Sequence, residues 1–241
     1  MAKLTTSSGT SEHRVVSHEE WTVARRAFLI KEKEFTKLRD ELSRQRRELP
    51  WERVEKHYIF DGPKGRETLA DLFAEKSQLV VYHFMFAPDA TQGCSACSFW
   101  ADNFNNIIVH LRQRDVTMLA VSLAPLDKIE AFKQRMGWNF KWVSSGNTDF
   151  NYDYQASFRT EDIQNGTANY NYVKKADNNP NREGVSVFYK DEHGEIYHTY
   201  SSYARGIDLL NGAYNYLDLV PKGRDEAGHP NWVRFHDKYP D

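Results

Sequence analysis

Cys94 and Cys97 are the only cysteines in the chain, and they stand three residues apart in the run Cys94-Ser95-Ala96-Cys97. Two thiols at this spacing can exchange with a disulfide: one attacks and the second resolves the mixed disulfide. They can also hold a metal ion if histidine completes the ligand set, or they can be an incidental close pair. A four-cysteine zinc site and a cluster held by four thiolates are both excluded by count. In a reducing compartment a close pair is more often redox-active or metal-binding than a structural staple. The context of the pair sharpens this. It follows a nearly continuous apolar run, Gln78 to Phe86, that reads as a strand buried on both faces, and it precedes a helical pattern from Cys97 to Arg114. Cys94 therefore sits just ahead of a helix N-terminus, where unpaired amides and the helix dipole favour an anion. The thiolate is the nucleophile. Cys97, about one turn into the helix, is placed to resolve.

The chemistry-bearing residues around the pair are fewer. Thr91 and Ser95 flank it, with Ala96 between the thiols, and Trp100 falls one turn after Cys97, where it covers the thiols or packs in the core. His83 lies inside the apolar strand, where a satisfied core histidine competes with a proton-handling one. His193 and His198 flank a hairpin, while His229 and His236 lie in the tail; no acidic cluster stands at ligand spacing, so no metal and no cofactor is expected. Arg205 precedes the last helix, as a surface arginine or an anion ligand. No phosphate-cradling glycine loop, Ser-His-Asp signature or HExxH is present.

These residues need a scaffold, and 241 residues supply enough chain for a substantial core. Hydrophobic residues at 40% and charged residues at 27% describe a soluble globular chain. Lys plus Arg number 32 against 34 Asp plus Glu, which gives no electrostatic reason to expect nucleic acid. The longest apolar stretch, Leu79 to Ala87, is about half of what a membrane helix needs, so no membrane partner is expected. The start, MAKLTTSSGTSEHR, has no apolar core and is not a signal peptide, which leaves the cytoplasm as the expected compartment.

Ser17 and Glu20 form a capping box that opens a helix with Trp21, Ala24, Phe28, Phe35, Leu38 and Leu42 on one stripe, stopped at Leu49-Pro50. That stripe would pack on the main domain or on a second copy of the chain. Beyond it, strand His57–Phe60, a short helix Thr68–Ala74, the strand to Phe86, the cysteine helix, strand Val116–Leu123, helix Leu126–Met136 and strand Phe140–Val143 alternate. Residues 144–183 read as an irregular insertion with a helix near Asp153–Phe158. A hairpin, Val185–Tyr189 with Glu195–Tyr200, and a closing helix through Ile207 and Leu217 follow. The expected division is an N-terminal segment and helix (1–50), a main domain (51–220) and a C-terminal tail (221–241). The expected class is α/β, a central mixed sheet flanked by helices.

The order strand, cysteine loop, helix, strand, helix, antiparallel hairpin, helix resembles the thioredoxin-like superfamily over residues 51–220. Whole segments go further: YHFMFAPD, GCSACSFWADNFN, LAVSLAPLDKIEAFKQRMGWNFKWVSS, FNYDY, GVSVFYKDEHGEIYHTYSSYARGIDLLNGAYNYLDLVPKGRDE and WVRFHDKY are similar to the bacterial Domain of Unknown Function 899 family, from about residue 15 to the end. That family is described as predicted dithiol-disulfide oxidoreductases. The resemblance implies Cys94 as attacking thiolate, Cys97 as resolving thiol, and a protein or small-molecule thiol or disulfide as substrate. The family's usual motif has Pro after the first Cys, where this chain has Ser95. Thioredoxin-like oxidoreductases also place a cis-Pro before the strand facing the cysteines; here Gly184-Val185 stands there, and Gly184 would let a substrate backbone approach. Two alternatives stay open. One is a peroxiredoxin-like thiol peroxidase, for which Thr91 fits the expected spacing, Pro88 is one residue short, and Arg182 and Arg205 are candidate partners of the thiolate. The other is a non-catalytic binding module with a pocket lined by Tyr152, Tyr154, Tyr170 or Tyr172.

Overall fold

A computed structural model describes residues 13–174, 179–226 and 230–240. The chain divides into two units, Met1–Leu49 with Tyr216–Asp225, and Pro50–Asn215 with Glu226–Asp241. In the first, helix α1 (His18–Arg47) opens on the expected capping box. The Ser17 hydroxyl accepts from the Glu20 amide at 3.2 Å, and the Glu20 carboxylate accepts from the Ser17 amide at 3.2 Å. Two of the donors orphaned at the helix start are satisfied locally. No residue of α1 is buried.

The second unit runs β1 (Glu52–Arg53), β2 (Ile59–Gly62), β3 (Gly65–Thr68), α2 (Leu69–Leu72), β4 (Gln78–His83), α3 (Ser95–Phe104), α4 (Ile108–Arg112), β5 (Val116–Ser122), α5 (Leu126–Arg135) and β6 (Lys141–Ser144). It continues with α6 (Phe150–Asp153), α7 (Thr160–Gln164), β7 (Asn169–Tyr170), β8 (Val173–Lys174), β9 (Gly184–Lys190) and β10 (Ile196–Tyr203), a 3-10 turn (Ala204–Leu210) and α8 (Gly212–Leu217). One sheet of eight strands has the order β1-β10-β9-β4-β5-β6-β2-β3. Its centre is parallel across β4, β5 and β6, and antiparallel where β9 meets β4 and β10 meets β9.

Strand alternation gives β4 two faces. Leu79 and Val81 join a buried cluster with Leu72, Phe73, Leu119, Val121, Val143, Phe150 and Phe188. On the other side Tyr82 packs on Phe104 of α3, and Phe84 on Phe132 of α5, Trp138 and Trp142. A mixed sheet covered on both faces, with Cys94 between the end of β4 and the start of α3 and Cys97 in the first turn of α3, is a thioredoxin-like fold.

Several boundaries differ from the sequence expectation. The expected helix Cys97–Arg114 is two helices, α3 and α4, broken at Asn105 to Ile107. The first begins at Ser95, with Cys94 as its N-cap. Regular pairing in β4 stops at His83. In the insertion the expected helix at Asp153–Phe158 is replaced by α6, ending at Asp153, then α7 and the small β7–β8 ribbon. The first twelve residues and His229 lie outside the described residues.

Candidate functional site

Beyond His83 the chain leaves the ladder but stays tied to β5. The Phe84 amide donates to Val121 O at 2.9 Å, and Phe86 O accepts from the Ala124 amide at 2.9 Å. The Ser122 hydroxyl donates to Phe84 O at 2.7 Å. The loop then turns back through Gly93. A Cβ built there would stand 2.7 Å from Phe84 Cε1 and 2.8 Å from Phe132 Cε1, so only glycine lets the backbone lie this flat on the aromatic core. Two cations of α5, seven residues and two turns apart, secure the loop. Lys128 Nζ donates to Pro88 O at 2.8 Å and Ala90 O at 3.1 Å, and Arg135 Nη1 donates to Gln92 Oε1 at 3.0 Å. The Cys94 amide donates back to Met85 O at 3.0 Å.

The two cysteines are free and lie 4.1 Å apart. Cys94 is partly exposed, and Cys97 is buried one turn into α3. The Met85 amide reaches Cys97 Sγ at 3.4 Å. A hydrogen bond from the Cys97 thiol holds Cys94 below an ordinary thiol's pKa, at about 7. Partial burial opposes this, the Cys97 and Ala96 amides at the helix start assist, and the like charge of Glu183 opposes. Cys97 moves the other way: burial, the hydrogen bond to Cys94 and the negative charges of Cys94 and Glu183 push its thiol well up. The pair is therefore asymmetric. Cys94 is about half thiolate at neutral pH, while Cys97 keeps its proton. Beneath them, Tyr82 is buried with its hydroxyl against Cys97 yet outside hydrogen-bond geometry, so that oxygen has no partner.

Cys94 opens into a cleft of about 650 Å³. Its floor is Met85, Phe86, Gly93 and Ser95, one wall is the insertion at Asn179 to Asn181, and the other is the C-terminal segment at Val233, Arg234, Phe235 and Lys238.

The residues singled out in the sequence fall as follows. Cys94, Cys97, Ser95 and the Ala96 amide converge at the start of α3. Thr91 is exposed and does not line the cleft. Trp100 is buried, donates to Ile207 O at 3.1 Å and packs edge-on against Tyr214. Gly184 and Val185 begin β9, and a Cβ on Gly184 would meet Tyr203 Cδ1 at 2.5 Å, so its side faces that ring. His83 is buried on the sheet face away from Tyr82, with Nε2 2.9 Å from Ser186 Oγ and Nδ1 3.3 Å from Asn151 Oδ1. Burial lowers its pKa to about 4. His236 Nδ1 lies 2.8 Å from Asp102. Arg205 is exposed beside Asp208, and Arg182 lies over the Tyr170 ring; neither lines the cleft. Tyr154 packs on Phe150 and Phe188, and Tyr170 on Phe158 and Tyr203, in aromatic clusters. Among the described residues no three His, Cys, Asp or Glu side chains form a metal-binding group. No helix among them is long and apolar enough to cross a membrane.

Gly93, Lys128, Arg135, Asn181, Arg234 and Lys238 escaped the sequence reading. The seven-residue spacing of Lys128 and Arg135 on a helix following the cysteine segment is the one local signal. Gly93 directly precedes Cys94, whereas Asn181, Arg234 and Lys238 reach the site from more than eighty residues away.

Fold and site together define a thioredoxin-like protein with a paired-cysteine loop. The chain belongs to the family described as "Bacterial protein of unknown function (DUF899)", which matches residues 10–239. No curated protein matches it. Among solved structures, it is similar to the peroxidoxin BcpB of Mycobacterium tuberculosis, with 11% identity, a TM-score of 0.45 and 66% of this chain covering 92% of that one. A cysteine-to-serine variant of Xanthomonas campestris peroxiredoxin Q is similar at 15% identity and a TM-score of 0.45, over 66% of this chain and 89% of that one.

Proposed function

We propose that the protein is a thiol–disulfide oxidoreductase in which Cys94 attacks and Cys97 resolves. One observation carries this. A partly exposed thiol with its pKa at about 7 faces a cleft, and 4.1 Å behind it lies a buried thiol that keeps its proton. Cys94 thiolate attacks one sulfur of a substrate disulfide. A Cys94–substrate disulfide forms, the substrate's own sulfur–sulfur bond breaks, and the first substrate half leaves as a thiolate. Cys97 then loses its proton, which the departed substrate thiolate takes up, and its thiolate attacks Cys94 Sγ. The Cys94–Cys97 disulfide forms as the second half leaves. The protein dithiol has lost two electrons and the substrate disulfide has gained them. The same steps in reverse, with a dithiol or a small thiol as reductant, restore the reduced pair. This chemistry belongs in a compartment that keeps thiols reduced, such as the cytoplasm, with residues 51–220 as the catalytic domain.

The test is disulfide-reductase turnover with the two single variants. Cys94→Ser should abolish turnover, and Cys97→Ser should accumulate a mixed disulfide on Cys94, visible by mass. Wild-type turnover in both variants would remove the proposal.

A further inference from the structure

We infer that the cleft at Cys94 selects small disulfides and thiols that carry carboxylates, with Arg234 and Lys238 of the C-terminal segment as the residues that read the charge. This rests on the exchange reading above and names its substrate class.

The C-terminal segment is anchored to its own domain by three consecutive residues. Phe235 packs edge-on against Phe132, with the Arg135 guanidinium 4.9 Å from its ring centre. His236 Nδ1 lies 2.8 Å from the Asp102 carboxylate, which also accepts from Trp138 Nε1 at 2.7 Å. Asp237 takes two parallel hydrogen bonds from Arg135, both at 2.9 Å. The residues on either side of these anchors, Arg234 and Lys238, line the cleft. Fixing Phe235, His236 and Asp237 on the domain thus fixes the backbone from which two exposed cations reach the cleft that opens at Cys94.

The amides of the cleft complete the pattern. Gln92 spends its side-chain oxygen on Arg135, and Asn181 spends its own on the Ser157 hydroxyl at 2.8 Å. Each of these oxygens is drawn to a protein donor, and each side chain can still offer a ligand its N–H donors. Among the described residues no carboxylate lines the cleft, and none pairs with Arg234 or Lys238. The Asp237 carboxylate between them is committed to Arg135. Glu183, the acid whose charge reaches Cys94, is outside the lining. A cleft whose described lining offers cations and amide donors and no acid is complementary to carboxylates. Its volume suits a ligand of peptide size rather than a folded protein surface.

The reaction is the one already balanced: the Cys94–Cys97 dithiol loses two electrons, and the carboxylate-bearing disulfide becomes two thiols. Three disulfides of different charge test the selection: oxidised glutathione (anionic), bis(2-hydroxyethyl) disulfide (neutral) and cystamine (cationic). The rate of Cys94–Cys97 oxidation by each is followed by quenched alkylation and mass, normalised to that probe's rate with free dithiothreitol. The normalised rates should fall in the order anionic, neutral, cationic. The anionic-to-neutral ratio should drop about tenfold in the double variant Arg234→Gln/Lys238→Gln, as expected for losing two partly exposed charge pairs, and should shrink in high salt. A flat or reversed order, with the neutral probe still oxidising the pair, overturns the charge selection and leaves the exchange reading intact. An anionic preference that survives the double variant overturns the assignment to these two residues. Oxidation by none of the three overturns both, and the exchange reading is then where the failure lies.

Discussion

Removing the Cys97 thiol should make Cys94 a weaker acid, by an amount that can be worked out. The hydrogen bond from Cys97 is the largest influence holding Cys94 at about 7; the Cys97 and Ala96 amides add to it, while partial burial and Glu183 oppose it. A hydrogen bond to a charged group contributes about 1.5–3 kcal/mol, and one pKa unit corresponds to about 1.4 kcal/mol. In Cys97→Ala the two amides remain and the thiol donor is lost, so the Cys94 midpoint should rise by at least about one unit, to about 8 or above. The lowered pKa means the thiolate is the form the fold favours. Raising it must therefore cost reactivity on the acid side and not on the alkaline side. With a midpoint near 8, the thiolate fraction at pH 7 falls from about a half to about a tenth. The more basic thiolate is intrinsically about threefold more nucleophilic. The alkylation rate of Cys94 should then be about twofold slower than wild type at pH 7 and about threefold faster near pH 9.5, with the two profiles crossing between. The assay is the pH dependence of iodoacetamide labelling, resolved by peptide mass because the wild type has two thiols. Cys97→Ser supplies a hydroxyl donor in place of the thiol and should hold the midpoint near 7. A Cys97→Ala midpoint still at about 7 would refute the reasoning and assign the shift to the helix amides.

Other perturbations have equally definite outcomes. Gly93→Ala forces a methyl onto the rings of Phe84 and Phe132, both buried, and should cost about 1–3 kcal/mol, read as a lower urea midpoint with unchanged slope. Tyr82→Phe removes a buried hydroxyl that has no partner; it should stabilise the reduced protein by about 1 kcal/mol and raise Tm by about 2–4 °C. Glu183→Gln removes a like charge that raises the Cys94 pKa, so the alkylation midpoint should move below that of the wild type.

What the sequence made legible was local. The Ser17 and Glu20 capping box, the apolar runs that became β4 and β5, and the position of Cys94 just ahead of a helix all follow from spacings of a few residues. The break between α3 and α4 falls at Asn105 and Asn106, weak helix formers inside a pattern whose apolar residues continue in phase through Ile107, Ile108 and Leu111. The period of the apolar residues hides the break. Within the insertion, α6 and α7 are only four and five residues long, too short for a period to register. Trp100 shows the limit of spacing arguments: one turn past Cys97 is correct, but its ring is committed to Ile207 and Tyr214.

The environment of Cys94 is assembled from three separate stretches of chain. In the first, helix α3 supplies the amides and the second thiol, and the loop from Met85 to Gly93 supplies the floor. The insertion supplies Asn179 to Asn181, and the C-terminal segment supplies Arg234 and Lys238. Arg135 joins two of these stretches, since one guanidinium holds both Gln92 of the loop and Asp237 of the C-terminal segment. The thiol's acidity is set by the first turn of α3 and, from the far end of the insertion, by Glu183. Access to it is set by stretches whose anchors lie elsewhere. Acidity and selectivity are therefore separable. Changes at Arg135, Arg234 or Lys238 should alter which disulfides react while leaving the Cys94 midpoint at about 7, whereas changes at Cys97 or Glu183 should move the midpoint for every reagent alike.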